Sequence, residues 1–292
     1  MSILVKDVIP MAQVQLERGG VPDAKNDAEM IFRYVMNVDK MGFFKLWGGS
    51  LDDDMCDRYL DVVSIRAGGT PLQYITGEQE FMGFTFRVGR EVLIPRQDTE
   101  TLVLEAVSVI GEKKKKSCPV LDLGCGSGAI GISIAKLCDN VKVTLSDISN
   151  GILEIAKRNA RDLKVERKVS FELGSLYEPF KGRFRPETFD MIVSNPPYIE
   201  SGAIPSLQRE IKDHEPLLAL DGGPDGLSYY RKIVPEAQDH LKKGGSLILE
   251  IGSGQADDVS EIAAGCGVYS NIRVVRDLSG LDRVMVLEYG ID

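Results

Sequence analysis

The spacing of hydrophobic positions changes along the chain, and each spacing predicts a different kind of structure. Over residues 1–76, apolar side chains recur every three or four positions, as at Ile31, Tyr34, Val35 and Val38. This spacing is typical of amphipathic helices. The segment shows no strand-like alternation and no cluster of catalytic residue types. We therefore predict an N-terminal helical domain over residues 1–76 that recognises a partner or shields an active site.

After residue 76, hydrophobic residues recur at every second position. Phe84 and Phe86 alternate with polar residues, which is the period of a strand. The Phe-Met-Gly sequence at 81–83 suits the turn of a hairpin. We predict a β-hairpin linker over residues 77–97, followed by a larger domain over residues 98–292.

In the larger domain, helical and strand patterns alternate. Strands are predicted at 119–123, 141–146, 168–173, 189–194, 245–251, 271–276 and 283–289. Helices are predicted at 99–110, 129–138, 151–162, 226–241 and 254–265. Such alternation predicts an open, mostly parallel Rossmann-like sheet of the α/β class, with helices on both faces. The last two strands follow one another without a full helix between them.

Charge and composition narrow the possible functions. The net charge of −9 argues against a broad nucleic-acid surface, because phosphate contacts come from Lys and Arg. We expect the lysine run at 113–116 to be a solvated loop. The chain contains no apolar run of the ~20 residues that span a membrane, and no signal-peptide pattern. Its five cysteines form no Cys-x-x-Cys pair, so we expect free thiols, no zinc site and a cytoplasmic location.

A glycine-rich turn follows the first predicted strand of the large domain and leads into an apolar helix. The turn contains Gly124, Cys125, Gly126, Ser127 and Gly128. Its glycines let the backbone approach a ligand closely. Dinucleotide sites use Gly-x-Gly-x-x-Gly to seat a pyrophosphate on the helix N-terminus. The Gly-x-Gly-x-Gly spacing found here favours S-adenosylmethionine instead.

Asp147 ends the next predicted strand, about twenty positions after the glycines. A carboxylate at this place can accept hydrogen bonds from both hydroxyls of a ribose. The alternative is that Asp147 only caps the helix that follows. We expect the ribose role, because the spacing and the strand context agree.

The sequence Asn195-Pro196-Pro197-Tyr198 follows another predicted strand and so lies at a carboxyl end of the sheet. An amide or aromatic amine is a poor nucleophile because its lone pair is delocalised. The Asn195 side-chain oxygen and the Pro196 carbonyl can accept from both N–H bonds of such a group and so orient it. Tyr198 offers a flat face for a planar group. These residues predict methyl transfer to an amide-like nitrogen.

Most of the chain resembles the protein-(glutamine-N5) methyltransferases that modify peptide chain release factors, the PrmC/HemK family. Besides the two motifs above, the resemblance rests on Pro71-Leu72-Gln73-Tyr74-Ile75-x-Gly77, Phe81-x-Gly83-x-x-Phe86-x-Val88, Val92-Leu93-Ile94-Pro95-Arg96-x-Asp98-Thr99-Glu100, His214-Glu215-Pro216, Asp225-Gly226-Leu227, Leu249-Glu250-Ile251-Gly252 and Asp282-Arg283-Val284. The segment Ile94-Pro95-Arg96-x-Asp98-Thr99-Glu100 is more discriminating than Asn-Pro-Pro-Tyr, which adenine-N6 methyltransferases share. The implied fold is a seven-stranded class I methyltransferase domain behind the helical domain and hairpin.

The resemblance also implies roles for individual residues. The glycine turn and Asp147 would hold S-adenosylmethionine, whose product is S-adenosylhomocysteine. Residues Ser175 and Leu176 would line the adenine, and Arg96 and Thr99 would lie near the methionine end. Asn195 would touch the cofactor and the glutamine, and Asn195 and Pro196 would be catalytic. Pro196, Pro197 and Tyr198 would complete the glutamine pocket.

Some sequence features depart from the family pattern or leave alternatives open. Gln97 stands where relatives usually carry Pro, and Ser175 where many carry Asp. Arg96 can equally be an ordinary ion-pair partner. The expected substrate is the glutamine of the Gly-Gly-Gln motif in release factors. A ribosomal-protein glutamine, an adenine of DNA or RNA, and a scaffold without activity are the alternatives. We expect a monomer that contacts neither nucleic acid nor membrane.

Overall fold

The computed structural model describes residues 3–113, 115–182 and 188–290. The helices within these ranges are α1 (Val5–Arg18), α2 (Ala24–Met36), α3 (Lys40–Leu46), α4 (Asp53–Ala67), α5 (Leu72–Thr76), α6 (Glu100–Lys113), α7 (Ala129–Leu137), α8 (Asn150–Asp162), α9 (Arg209–His214), α10 (Tyr230–Glu236) and α11 (Ala256–Cys266). The strands are β1 (Ile3–Leu4), β2 (Ser50–Leu51), β3 (Glu78–Phe81), β4 (Phe84–Arg87), β5 (Cys118–Leu123), β6 (Val141–Asp147), β7 (Val169–Leu173), β8 (Phe189–Ser194), β9 (Leu241–Glu250), β10 (Tyr269–Arg276) and β11 (Asp282–Tyr289). Across the described ranges, no helix is long and apolar enough to span a membrane.

The chain divides into two compact units. The first comprises Met1–Glu78 together with Leu207–His214, and the second comprises Gln79–Ser206 together with Glu215–Asp292. The excursion at Leu207–His214 carries α9 into the first unit, although its sequence lies within the predicted larger domain. The sequence offers no hydrophobic periodicity in this short segment that would reveal where it packs.

The first unit is a helical bundle. Helices α1, α2 and α4 enclose an apolar core that includes Phe32 and Tyr59, whose rings meet edge to face at 5.5 Å. Arg66 is buried beside this core. Its guanidinium bonds to Asp27 at 2.7 Å and to Glu210 of α9 at 2.8 Å. Because a buried charge needs partners, these ion pairs fix α9 within the first unit.

The second unit contains a seven-stranded sheet in the order β10-β11-β9-β8-β5-β6-β7. Strands β9, β8, β5, β6 and β7 run parallel, and β11 lies antiparallel to both β9 and β10. This confirms the predicted Rossmann-like fold. A hairpin of β3 and β4 precedes the sheet, and Met82 and Gly83 form its turn at positive φ.

The sheet is buried on both faces, which explains the apolar runs of its central strands. In β5, Val120 points into a core shared with α6, α7 and α8, whereas Leu121 points into a core shared with α10 and α11. Successive strand side chains face opposite sides, so one run of apolar residues supplies both cores. The helices therefore lie in two layers that leave the strand ends free.

The predicted helix at 226–241 is wrong in extent. Helix α10 covers only Tyr230–Glu236, a 3₁₀ turn at Ala237–Asp239 follows, and β9 begins at Leu241 rather than at 245. Before the helix, Asp225 Oδ1 accepts from the Leu227 N–H, an Asx turn that competes with helical bonding. Gly226 sits at φ +71°, outside the helical region.

The expected solvated lysine loop is also only partly right. Lys113 donates to the Gly244 carbonyl at 2.7 Å and to Ser246 Oγ at 3.0 Å. Lys115 pairs with the buried Asp190 carboxylate. Lys114 lies outside the described residues. At least two members of the run therefore bind groups next to the sheet instead of only facing water.

Candidate active site

A cavity of about 360 Å³ opens at the carboxyl ends of β5, β6, β7 and β8. Its volume falls in the range of about 300–1,000 Å³ that is usual for small-molecule sites. Open α/β sheets bind ligands at this edge. The predicted site residues that line it are Arg96, Thr99, Gly124, Cys125, Gly126, Ser127, Asp147, Ser175, Leu176, Asn195, Pro196 and Pro197. Gly128 and Tyr198 are the predicted site residues that do not.

The glycine turn is held in one conformation by bonds to the neighbouring elements. Gly126 adopts φ +54°, and a Cβ built on it would enter open space beside the cavity. Its N–H donates to Asp147 Oδ2 at 3.1 Å. Below the turn, the buried Asp122 accepts from the Gly131 N–H of α7 at 2.9 Å. The turn thus exposes bare backbone to the cavity while both of its ends are fixed.

Gly128 does not line the cavity, and its surroundings show a packing role. It precedes α7 at φ +81°, and an added Cβ would lie 2.6 Å from Ile132 Cδ1 and 3.1 Å from Leu145 Cδ2. The absence of a side chain at this position allows the close approach of α7 to β6.

Gly128→Ala should destabilise the fold. The left-handed conformation alone costs an L-residue about 1–2 kcal/mol, and the contact with Ile132 adds strain. Urea unfolding checks this prediction. Gly254→Ala is the matched control, because its φ is not positive and nothing lies within 4 Å of a Cβ there. Equal stability of the two variants would show that the packing around Gly128 is loose.

Asp147 is buried at the end of β6 and faces the cavity. Besides the Gly126 bond, its Oδ1 accepts from the Ser149 N–H at 3.2 Å. Helix α8 is capped by Ser149, whose Oγ accepts from the Ile152 N–H. The alternative that Asp147 is the helix cap is therefore wrong. Burial raises the pKa of Asp147, and the backbone N–H groups oppose that rise.

Ser175 and Leu176 follow β7 and line the cavity beside Asp147. Leu176 is left-handed at φ +49°, and the Gly174 N–H donates to the Asp147 carbonyl at 3.0 Å. The Ser175 N–H donates to Glu178 Oε2 at 3.3 Å. The turn after β7 is therefore tied to the end of β6, and its backbone course places both residues at the cavity wall.

Asn195 and the two prolines extend from β8 into the same cavity. Ser194 Oγ donates to the Leu123 carbonyl at 2.7 Å, which ties the end of β8 to the end of β5. The Asn195 Nδ2 donates to Thr99 Oγ1 at 3.3 Å. With its nitrogen occupied in this way, the amide of Asn195 has its oxygen available as an acceptor.

Tyr198 is not among the cavity-lining residues, and its hydroxyl is directed at Glu250. The hydroxyl donates to Glu250 Oε1 at 3.2 Å, and the Tyr198 carbonyl accepts from Gln255 Nε2 at 3.0 Å. Burial raises the pKa of Tyr198. The end of the Asn-Pro-Pro-Tyr segment is therefore anchored from both its side chain and its backbone.

Arg96 is an ion-pair partner that also lies at the cavity. It lines the cavity and pairs with the buried carboxylate of Glu215. Glu215 is followed by Pro216, which belongs to a second stretch of the cavity wall. The Arg96–Glu215 pair therefore links the segment before α6 to the segment that follows α9.

The apolar wall of the cavity is the part that sequence reasoning missed. It includes Leu93, Ile130, Ile148, Ile152, Leu218, Ala219, Tyr229 and Ile233. Two of these side chains are unusually exposed for their type, Ile148 at 63% and Leu218 at 74%. Sequence alone does not separate such residues from ordinary core positions. The described residues contain no group of three or more His, Cys, Asp or Glu that could hold a metal.

The seven-stranded sheet and the glycine turn at the strand ends define a class I methyltransferase. In agreement, residues 114–264 match the family described as "Methyltransferase domain", and residues 7–77 match the "PrmC N-terminal domain". A methyltransferase from Pyrococcus furiosus shares the fold with a TM-score of 0.50 and 18% identity, over 82% of this chain and 100% of that one.

Curated relatives extend over nearly the whole chain. The release factor glutamine methyltransferase of Clostridium acetobutylicum is 38% identical over 98% of this chain and 99% of its own length. The enzyme of that name from Koribacter versatilis is 40% identical over 97% of each chain. The chain therefore belongs to the family of release factor glutamine methyltransferases.

Proposed function

We propose that this enzyme transfers a methyl group from S-adenosylmethionine to the side-chain nitrogen, N5, of the glutamine in the Gly-Gly-Gln motif of peptide chain release factors. One observation carries the proposal. Asn195 stands at the cavity with its nitrogen engaged by Thr99, which leaves its oxygen to accept from a substrate amide. The names of the curated relatives support the choice of protein substrate.

The cavity fits S-adenosylmethionine in its chemistry. The bare backbone at Gly126 gives a flat ligand group room, and a Cβ there would fill that space. Asp147 uses one hydrogen bond on each oxygen, so acceptor capacity remains for ribose hydroxyls. Leu176 and Ile130 supply apolar surface for the rest. Bound there, the cofactor supplies an electrophilic methyl group on a sulfonium.

The enzyme's own part is to orient a weak nucleophile. We assign the Asn195 oxygen and the Pro196 carbonyl as acceptors for the two N–H bonds of the substrate amide. With both bonds held, the nitrogen has one direction in which its lone pair can react. Such positioning and fixed dipoles account for large rate factors without an acid or base of tuned pKa. Pro197 is assigned to the wall of the glutamine pocket. Tyr198, which does not line the cavity as it stands, is assigned to hold the end of that segment in place through Glu250.

Three classes of substrate offer a planar nitrogen to a site of this kind. Release-factor glutamine is favoured over ribosomal-protein glutamine by the relatives' names and by the match of residues 7–77. Adenine is disfavoured by the net charge of −9, because a nucleic-acid substrate would be held by basic residues.

A parallel transfer assay tests the proposal. The purified enzyme is incubated with methyl-labelled S-adenosylmethionine and, separately, with release factor, release factor whose Gly-Gly-Gln glutamine is changed to alanine, ribosomal proteins, DNA and RNA. We expect label only on the unaltered release factor. Label on a ribosomal protein or a nucleic acid in its place would overturn the substrate assignment.

A further inference from the structure

A buried carboxylate lies directly behind the Asn-Pro-Pro-Tyr segment. Glu250 ends β9, which is the neighbour of β8 in the sheet, and its side chain is almost completely buried. Its Oε1 accepts from the Tyr198 hydroxyl at 3.2 Å. Its Oε2 is buried without a hydrogen-bond partner among the described residues. An unpaired buried carboxylate oxygen is costly, so its retention calls for an explanation.

Thr99 connects this carboxylate to Asn195. The Thr99 side chain is buried, and its Oγ1 accepts from Asn195 Nδ2 at 3.3 Å. Thr99 is also close to Glu250: burial raises the pKa of the Glu250 carboxyl, and the nearby Thr99 hydroxyl opposes that rise, although Glu250 Oε2 has no partner at hydrogen-bond distance among the described residues. A threonine hydroxyl has a single proton to donate. If that proton turns toward Glu250, the Thr99 oxygen can only accept from Asn195.

The charge of Glu250 therefore sets which group donates and which accepts along the series Glu250, Thr99 and Asn195. A carboxylate only accepts hydrogen bonds, so it attracts the proton of the nearby Thr99 hydroxyl. The Thr99 oxygen is then left to accept from the Asn195 NH₂, as the structure shows. The Asn195 oxygen is then the end that faces the cavity. With the amide turned the other way, the NH₂ of Asn195 would face the N–H bonds of the substrate amide and could not accept from them.

We propose that Glu250 is a positioning residue, which through Thr99 fixes the orientation of the Asn195 amide and through Tyr198 anchors the end of the same segment. This inference rests on the proposed function of Asn195 as the acceptor for the substrate amide. Glu250 is not among the residues that line the cavity, so it is assigned no contact of its own with the reacting groups.

No salt bridge to Glu250 is present among the described residues. The nearby Arg283 pairs with Asp277 at 3.1 Å and with Asp98 at 3.4 Å, so its hydrogen bonds are directed elsewhere. The Tyr230 hydroxyl donates to the Glu250 main-chain carbonyl, not to its side chain. The hydroxyls of Thr99 and Tyr198 are left as the donors that face the carboxylate.

The decisive variant is Glu250→Gln, which keeps the size of the side chain but adds an NH₂ donor. A donor facing Thr99 lets its hydroxyl reverse and donate to Asn195, so the amide of Asn195 is no longer held one way. We expect kcat to fall on the order of 10²-fold, as small misplacements in an active site do. The KM for release factor, the Kd for S-adenosylmethionine and the unfolding midpoint should stay within a few-fold or a few degrees of wild type.

Thr99→Val tests the relay itself, because it removes the hydroxyl and keeps the shape. It should lower kcat comparably, and the double variant Glu250→Gln with Thr99→Val should lose no more than the larger single loss. Coupled residues of one network show such non-additivity. Multiplying losses, or a full kcat in Glu250→Gln, would overturn the relay.

A matched control is Glu105→Gln. Glu105, like Glu250, is a mostly buried glutamate. Unlike Glu250, it pairs with an arginine, Arg273, and it is not among the residues that line the cavity. It should leave kcat near the wild-type value. A comparable fall in this control would show that removal of any buried charge slows the enzyme.

An NMR measurement separates this inference from the proposed substrate. The Asn195 side-chain NH₂ signal, identified by its loss in Asn195→Ala, should shift in Glu250→Gln and Thr99→Val without any release factor present. An unchanged signal would overturn the positioning role whatever the substrate is. Absence of methyl transfer by the wild-type enzyme, with the signal shifted as expected, would instead overturn the proposed substrate alone.

Discussion

We expect Asn195→Ala to abolish most turnover while the cofactor still binds within a few-fold of wild type. The variant removes the side-chain oxygen assigned to the substrate amide, together with the nitrogen that Thr99 holds. Removal of one fixed hydrogen-bonding group from an active site costs on the order of 10²–10³ in kcat. Steady-state kinetics with release factor and calorimetry with S-adenosylmethionine measure the two effects separately.

The control for this experiment is Asn271→Ala, which removes an exposed asparagine side chain from the edge strand β10. It should match wild type in both assays. Near-normal turnover of Asn195→Ala would contradict the acceptor role, since no other side chain in the cavity has been assigned to the substrate N–H bonds. A large loss of cofactor affinity would show instead that Asn195 acts mainly on the cofactor.

Asp147→Ala should weaken cofactor binding about 10- to 150-fold, which corresponds to about 1.5–3 kcal/mol for hydrogen bonds to a charged group. The carboxylate is buried at the cavity wall and still has acceptor capacity after binding two backbone N–H groups. Calorimetric titration with S-adenosylmethionine measures the loss. Asp257→Ala, an exposed aspartate in the first turn of α11, is the matched control.

A second variant separates ribose binding from support of the glycine turn. Asp147→Asn keeps an acceptor for one of the backbone N–H groups but removes the charge. If the charge binds ribose hydroxyls, this variant should also bind cofactor more weakly than wild type while unfolding at a similar temperature. An unchanged dissociation constant in both variants would mean that Asp147 only braces Gly126.

Activity should depend on the ionisation of Glu250. Burial raises the pKa of this carboxyl to about 7, with Thr99, Tyr198 and Arg283 opposing the rise and Asp98 adding to it. The carboxylate form fixes the direction of the relay, so kcat should fall as pH drops through about 7 and be full above it. Burial also raises the pKa of Asp122 to about 7, and the variant Glu250→Gln distinguishes the two carboxyls because it keeps Asp122. If Glu250 causes the fall in kcat at low pH, that fall should be absent in Glu250→Gln. If the fall persists in the variant, another group causes it.

Much of the fold was predictable because, in the large domain, the local sequence patterns agree with the helices and strands that form. The apolar runs of β5 and β8 are buried on both faces, so their composition marks them as parallel strands without knowledge of their neighbours. The glycine turn could be placed because strand, turn and helix follow directly in sequence. Helix α10 was overestimated because Asp225 and Gly226 form a turn whose side-chain bond competes with the helix.

The site was predictable where one short segment supplies the chemistry. Asn195 and Asp147 each follow a strand, so the carboxyl edge of the sheet brings them to one cavity. The contacts of Gly128 and Tyr198 were not predictable, because they depend on how close α7 and β9 approach. The sequence around Glu250 predicts only the end of a buried strand. Its proximity to Thr99, which is distant in sequence, could not be predicted.

The most direct test is tandem mass spectrometry of the Gly-Gly-Gln peptide from release factor treated with the enzyme and S-adenosylmethionine. We expect one added methyl group, placed by fragmentation on the glutamine side chain, and none when Asn195→Ala replaces the wild-type enzyme. A methyl group on any other residue of the peptide, or an unmodified peptide from an enzyme that binds the cofactor normally, would contradict the account.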